Sequence, residues 1–284
     1  MAQYLFNENE AFEGYSQYLI NSNKTFKIEQ TGYSRTIIHD NNKSIYADDK
    51  INSVCFSMFS SLKKEIKNND LHIDFVPEYD VKYYGISEIV SKKSFLMPSD
   101  IVNVDIKSAY LSVLKNKKII SEELFEKINK INKIDRLKTL GFLATNKVVL
   151  EYENGELINV TSKRNEYANY FFLCCYEIGE LMTRIANEFN ENFLFYWVDG
   201  IYFDKNNLNI ERVTKIIDEY QFSYKVEHLT SANLEFREKT AIFSYLKEDK
   251  KKIITVPIED KADIKAKKAY LKYLLNKKNA NKIN

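Results

Sequence analysis

Apolar and polar positions along this chain follow two periods, and the changes of period mark its elements. Residues 8–20 and 52–67 repeat at the helical spacing, the second with Val54, Phe56, Met58, Phe59, Leu62 and Ile66 in one stripe. Residues 33–47 read as a hairpin, and 71–76 and 101–106 as strands, with Asp105 at the end of the second. Ser121 followed by Glu122 and Glu123 is a helix start, and Leu124, Phe125, Ile128, Ile131 and Ile134 continue its period. Lys127, Lys130, Lys133 and Arg136 are therefore expected on one helix at spacings of three. Asn154-Gly155 between 147–152 and 157–161 predicts a second hairpin. A long, largely apolar helix is expected over 167–190, then two strands, 193–197 and 201–203, flanking Asp199. A helix over 211–220, strands over 222–228 and 234–237, and an amphipathic basic helix over 262–278 complete the pattern. The order is mixed α+β and predicts a central antiparallel sheet that carries the two aspartates.

Composition narrows the class. At 284 residues, with 44% hydrophobic and 14% aromatic side chains, the chain can bury a large core, and disorder is excluded. The N-terminus lacks a signal pattern and no apolar run reaches the ~20 residues of a membrane span, so a cytoplasmic protein is expected, without a membrane partner. Cys55 and the adjacent Cys174 and Cys175 offer neither zinc spacing nor a disulfide framework, and the pair sits in an apolar helical run as small hydrophobes. Net charge is +2, but residues 250–284 hold eleven Lys against three acids, a tail of +8 set against −6 for the rest. Positive charge so placed suits phosphates as well as it suits a solvated face.

The candidate chemistry lies in two segments. Val104-Asp105-Ile106-Lys107-Ser108-Ala109-Tyr110 and Phe195-Tyr196-Trp197-Val198-Asp199-Gly200 each end an apolar β-rich run on an aspartate, 94 residues apart. An aspartate at a strand end is common in any α/β protein; a pair is more telling. Two hard oxygen ligands from separate strands are what a two-metal phosphoryl-transfer site requires.

Together these segments resemble motifs A and C of family B DNA polymerases. Lys133, separated by three residues from Leu137-Lys138-Thr139-Leu140-Gly141, resembles motif B in its Lys and Gly, while Leu137, Lys138 and Leu140 replace its Asn, Ser and Tyr. Tyr83-Tyr84-Gly85 is similar to the Tyr-x-Gly-Gly loop before motif A. The continuation Phe142 to Asn146, the long helix, and Lys239-Thr240, with Ala241 in place of a Tyr, look most like the protein-primed branch. The resemblance spans roughly residues 81–245, and motif C departs most, because Trp197 stands where the family has its first acid.

The resemblance implies a polymerase palm, an antiparallel sheet with packed helices, at 81–115 and 139–249. Short helical fingers at 116–138, a small basic thumb at 250–284 and an N-terminal region, 1–80, of open role would surround it. Asp105 and Asp199 would be the catalytic residues and the ligands of two Mg²⁺ or Mn²⁺ ions. Ser108, Tyr110, Lys133 and Arg136 would bind the deoxynucleoside triphosphate, with Tyr110 under the sugar; a helix-face core residue is the alternative for Tyr110. Tyr84, Gly85, Lys239, Lys267 and Lys268 would contact primer and template DNA, with plain surface lysines as the rival reading. Asp204 is a candidate substitute for the missing acid if its strand is irregular. About one hundred residues before Asp105, with no Asp-x-Glu pair, leave no place for a proofreading exonuclease. A terminal protein or accessory subunit is an expected partner, and the Lys-, Asn- and Ile-rich composition suits a phage or mobile element. Two other readings stand beside this one. A reverse transcriptase would share motif A, but Gly200 replaces the second Asp of its Tyr-x-Asp-Asp. A catalytically inactive palm that binds nucleic acid or a replication protein would account for Trp197 and the eroded motif B.

Overall fold

The computed structural model describes residues 3–5, 9–47, 53–69, 81–91, 100–237, 240–247 and 250–257. The strand expected at 71–76 and the basic helix expected at 262–278 lie outside them. The described residues fall into two compact units, drawn from Met1–Ile73 with Lys118–Phe171 and from Asp74–Lys117 with Phe172–Asn284. Elements are numbered along the whole chain.

The first unit opens with β1 (Gln3–Leu5), α1 (Asn9–Asn21), β2 (Phe26–Gln30), β3 (Ser34–His39), β4 (Asn42–Ala47) and α2 (Ser53–Asn68). The first unit also holds α5 (Glu122–Asn129), α6 (Lys133–Gly141), a 3-10 turn (Phe142–Ala144), β7 (Lys147–Glu153) and β8 (Glu156–Lys163). Its six-stranded sheet runs β1-β4-β3-β2-β7-β8, so the hairpin around Asn154-Gly155 joins the sheet of the N-terminal region. That hairpin turns where expected: Asn154 and Gly155 take φ of 49° and 81°, the left-handed pair of a tight hairpin turn. The amphipathic α1 lays Phe12 and Leu19 on Phe26, Ile28 and Ile37 of the sheet. A second cluster sets Tyr33 against Phe142, ring centres 4.4 Å apart and planes tilted by 37°, with Phe59 of α2 edge-on to both.

The helix expected to run on from Ser121 is two helices. α5 ends at Asn129, and Asn132 caps α6, its side chain accepting from the Asp135 N–H at 2.9 Å. Lys133 and Arg136 therefore belong to a different helix from Lys127 and Lys130.

The second unit contains β5 (Tyr84–Ile86), α3 (Glu88–Ser91), β6 (Asp100–Ile106) and α4 (Ala109–Asn116). After α7 (Ala168–Glu188), whose first turn belongs to the first unit, come β9 (Phe193–Trp197), β10 (Gly200–Asp204), α8 (Ile210–Glu219), β11 (Tyr224–Arg237), β12 (Thr240–Lys247) and β13 (Lys250–Pro257). Its sheet, β13-β12-β11-β6-β10-β9-β5, is antiparallel at every pairing. The α+β class read from sequence is thus observed, with β6 and β10, the strands nearest the two acids, central in the sheet. The segments expected as strands 222–228 and 234–237 are one strand, β11, with a register shift between Thr230 and Asn233. Residues 250–257 extend the sheet as its edge strand.

Alternation decides which face of the sheet is covered. Tyr196, Phe203 and their neighbours on that face meet helices: Phe189, just past the end of α7, meets Phe203 edge-on, and the Thr183 and Tyr196 hydroxyls lie 3.5 Å apart. α7 is fixed to α8 by Arg184–Glu219 and Arg212–Glu188 ion pairs, and to α4 where the Cys174 thiol donates to the Tyr110 carbonyl. Asp105 and its neighbours of like parity stand on the other face. No helix among the described residues is long and apolar enough to cross a membrane.

Candidate active site

Asp105 lies in the last turn of apolar alternation on β6, where Ile101, Val102, Val104 and Ile106 are all buried. Asp199 lies in the two-residue turn between β9 and β10, and the strand register brings the two together. Gly200, which follows Asp199, pairs directly with Asp105, and the Ile106 N–H donates to the Asp199 carbonyl at 2.9 Å. Both acids are half-buried. Val198, the other turn residue, has φ of 55°, a left-handed conformation costly for a β-branched side chain. Its N–H donates to the Tyr83 carbonyl at 2.7 Å, which fastens the turn to the segment leading into β5.

The register extends into a row across five strands: Tyr84, Trp197, Gly200, Asp105 and Lys225, all on one face. Trp197 is 37% exposed and stacks on Tyr84 with ring centres 5.8 Å apart. Gly85 lies on the opposite face, where an added Cβ would stand 2.4 Å from the Tyr196 ring, so packing alone accounts for it. The neighbouring row is Ile86, Phe195, Tyr202, Asn103 and Glu227. Glu227 pairs with Lys225 at 2.5 Å. Burial, a contact with the Tyr245 hydroxyl, and the charges of Asp105 and Glu227 push the Tyr202 hydroxyl far above the ordinary tyrosine range.

Asn103 is the residue that sequence reasoning missed. It is 4% exposed between the apolar Ile101, Val102 and Val104, and its Oδ1 is buried without a hydrogen-bond partner. An orphaned buried acceptor costs about 1–3 kcal/mol. That oxygen and Asp105 Oδ1 each lie 3.4 Å from the position a Cβ on Gly200 would take. Parity carries the missed signal, for a polar residue two positions before Asp105 must share its face. Glu227 and Lys225 carry no such signal, since their place depends on the β11–β6 register.

Asp204 does not replace the missing acid. It pairs with Ile101 at the far end of β10, four residues from the Asp105 row and so about 13 Å along the strand. Its Oδ1 accepts from the Asn206 N–H instead.

β6 passes into α4 through Lys107 and Ser108. Ser108, the N-cap of α4, has φ of 49° and makes no side-chain cap, and the first N–H groups of α4 begin four residues after Asp105. Tyr110 is the second residue of the helix, and its hydroxyl accepts from the Cys175 thiol at 3.3 Å. Burial is the main cause that raises the Tyr110 hydroxyl well beyond its usual range, and burial likewise lifts the Cys175 thiol to about 11. Lys133 and Arg136 belong to the first unit; Lys133 is exposed, and Arg136 Nη1 donates to the side chain and carbonyl of Asn129. Lys239, Lys267 and Lys268 lie outside the described residues.

The donors present are hard oxygens on a sheet face, a set that fits Mg²⁺ or Mn²⁺ and does not suit a soft metal. Among the described residues no three His, Cys, Asp or Glu side chains form a metal-binding group, so the acid pair would rely on other oxygens to complete a shell. No protein-family model matches the chain, and no curated protein is detectably similar to it.

Proposed function

We propose that this protein is a template-directed DNA polymerase whose second unit is a palm. The observation that carries the reading is the register of β6 on β10, which sets Asp105 beside the turn that holds Asp199 on a central antiparallel sheet. Asp105 and Asp199 would hold the divalent ions, which would supply activation of a 3′-hydroxyl and neutralisation of phosphate charge. The start of α4, with Ser108, offers N–H groups to the triphosphate. Tyr110, held by Cys175, limits the space at the sugar and so favours deoxynucleotides. Tyr84, with Trp197 stacked upon it, offers a ring face to the primer end. Lys239, Lys267 and Lys268 are the cations we assign to DNA phosphates. Gly200 in place of a second Asp favours a DNA polymerase over a reverse transcriptase, and retention of both acids favours it over an inactive palm.

The test is extension of a labelled primer on a DNA template with Mg²⁺ or Mn²⁺ and each nucleotide set. Lengthening with deoxynucleotides, directed by the template base, supports the proposal. One observation favours a second reading: the exposed Trp197 in place of an acid suits an inactive palm that binds nucleic acid. Salt-sensitive DNA binding with no incorporation on any primer or template would select that reading.

A further inference from the structure

The buried amide oxygen of Asn103 has no hydrogen-bond partner, and it is closed to water. It lies on the central strand, on the face of Asp105 and two residues from it. Both side-chain oxygens flank one point beside Gly200, at 3.4 Å each, and any side chain at position 200 would occupy that point. In the two strand rows of Asp105 and Asn103 the other charged groups are Lys225 and Glu227 of β11, which pair with one another, and Tyr202 is the neighbour of Asn103 on β10. A divalent cation lies about 2.0–2.6 Å from its oxygen ligands, nearer than a water donor would. An acceptor without a hydrogen donor and without room for water, as close as a carboxylate oxygen to the point that a Cβ on Gly200 would take, suits such a cation.

We propose that Asn103 Oδ1 is a third oxygen ligand of the cation held by Asp105, an inference that rests on the two-acid reading above. The amide completes part of the shell that the two aspartates leave open, and it adds no charge. Gly200 is then required for clearance between the two ligands as well as for the turn.

The test uses the full chain and Mn²⁺ alone, so it does not depend on catalysis. Binding is measured from the spectrum of free Mn²⁺, and stability from thermal melting with Mn²⁺ and with chelator. Asn103→Leu is expected to weaken Mn²⁺ binding tenfold or more and to lose most of the Mn²⁺-dependent rise in Tm, yet to melt no lower than the native chain in chelator. Asn103→Asp is expected to bind Mn²⁺ at least as tightly as the native chain. Unchanged Mn²⁺ affinity in Asn103→Leu, beside its loss in Asp105→Asn, would overturn the role of Asn103 and leave the two-acid site standing. Should Asn103→Leu not fold, Asn103→Asp decides: binding weaker than native overturns the proposal. A native chain that binds no Mn²⁺ at millimolar concentration also overturns it, and primer extension then shows whether the polymerase reading falls with it.

Discussion

Val198 sits in the left-handed region at the turn before Asp199, where a β-branched residue costs about 1–2 kcal/mol. Strain of this kind fixes the position of its neighbour. Val198→Gly is expected to raise stability by about 1 kcal/mol while lowering primer extension, because the turn that holds Asp199 loosens; melting and extension measured on the same preparation check both signs. The cysteines are the opposite case. Cys55, Cys174 and Cys175 are buried, and burial lifts the Cys175 thiol to about 11, so no thiolate forms near neutral pH. Native protein at pH 8 should therefore release almost no thiol to a disulfide reagent until denaturant is added, and rapid labelling of Cys175 would contradict the packing of α7 on Tyr110. At this scale the sequence showed the two aspartates and the inert cysteines, since residue type and local run suffice for those. Asn103 needed parity, and the Tyr84–Trp197 stack needed the pairing of β5 with β9, which no local pattern encodes.

Elements were legible wherever one local signal was unopposed. Asn154-Gly155 marked its hairpin because both residues accept positive φ, and the long apolar period marked α7. The single helix expected after Ser121 failed for an identifiable reason. Ile131 and Ile134 keep the helical period across the break, but Ile134 is 67% exposed, and the Asn132 cap starts a new helix. Asn132→Ala should accordingly cost about 1 kcal/mol in denaturant unfolding, whereas a helix continuous through 132 would gain from alanine. β11 was read as two strands because its irregularity at Thr230 to Asn233 interrupts the alternation, and the edge strand 250–257 was read only as lysine-rich charge.

On the scale of the whole molecule, the sheet order β13-β12-β11-β6-β10-β9-β5 joins segments far apart in sequence, and it sets Asp105, Asn103 and Glu227 on neighbouring strands beside the turn that holds Asp199. Sequence pattern predicted an antiparallel sheet bearing both acids. It could not supply the sheet order, nor show that 147–163 pairs with the N-terminal strands. Charge also acts at this scale. Eight of the eleven Lys in 250–284 follow Pro257, and removal of residues 258–284 is expected to weaken DNA binding and flatten its dependence on salt. Binding isotherms at several salt concentrations would show this, and an unchanged slope would mean that those lysines face solvent alone.

The central claim is that Asp105 and Asp199 together carry phosphoryl transfer. Its most direct test is the rate of single-nucleotide incorporation on a primed DNA template by the native chain and by Asp105→Asn and Asp199→Asn, with melting as the control for folding. Incorporation by the native chain that falls at least about a thousandfold in each variant is the predicted result. Incorporation that survives either substitution near the native rate, or a native chain that adds no nucleotide to any primer, would contradict it.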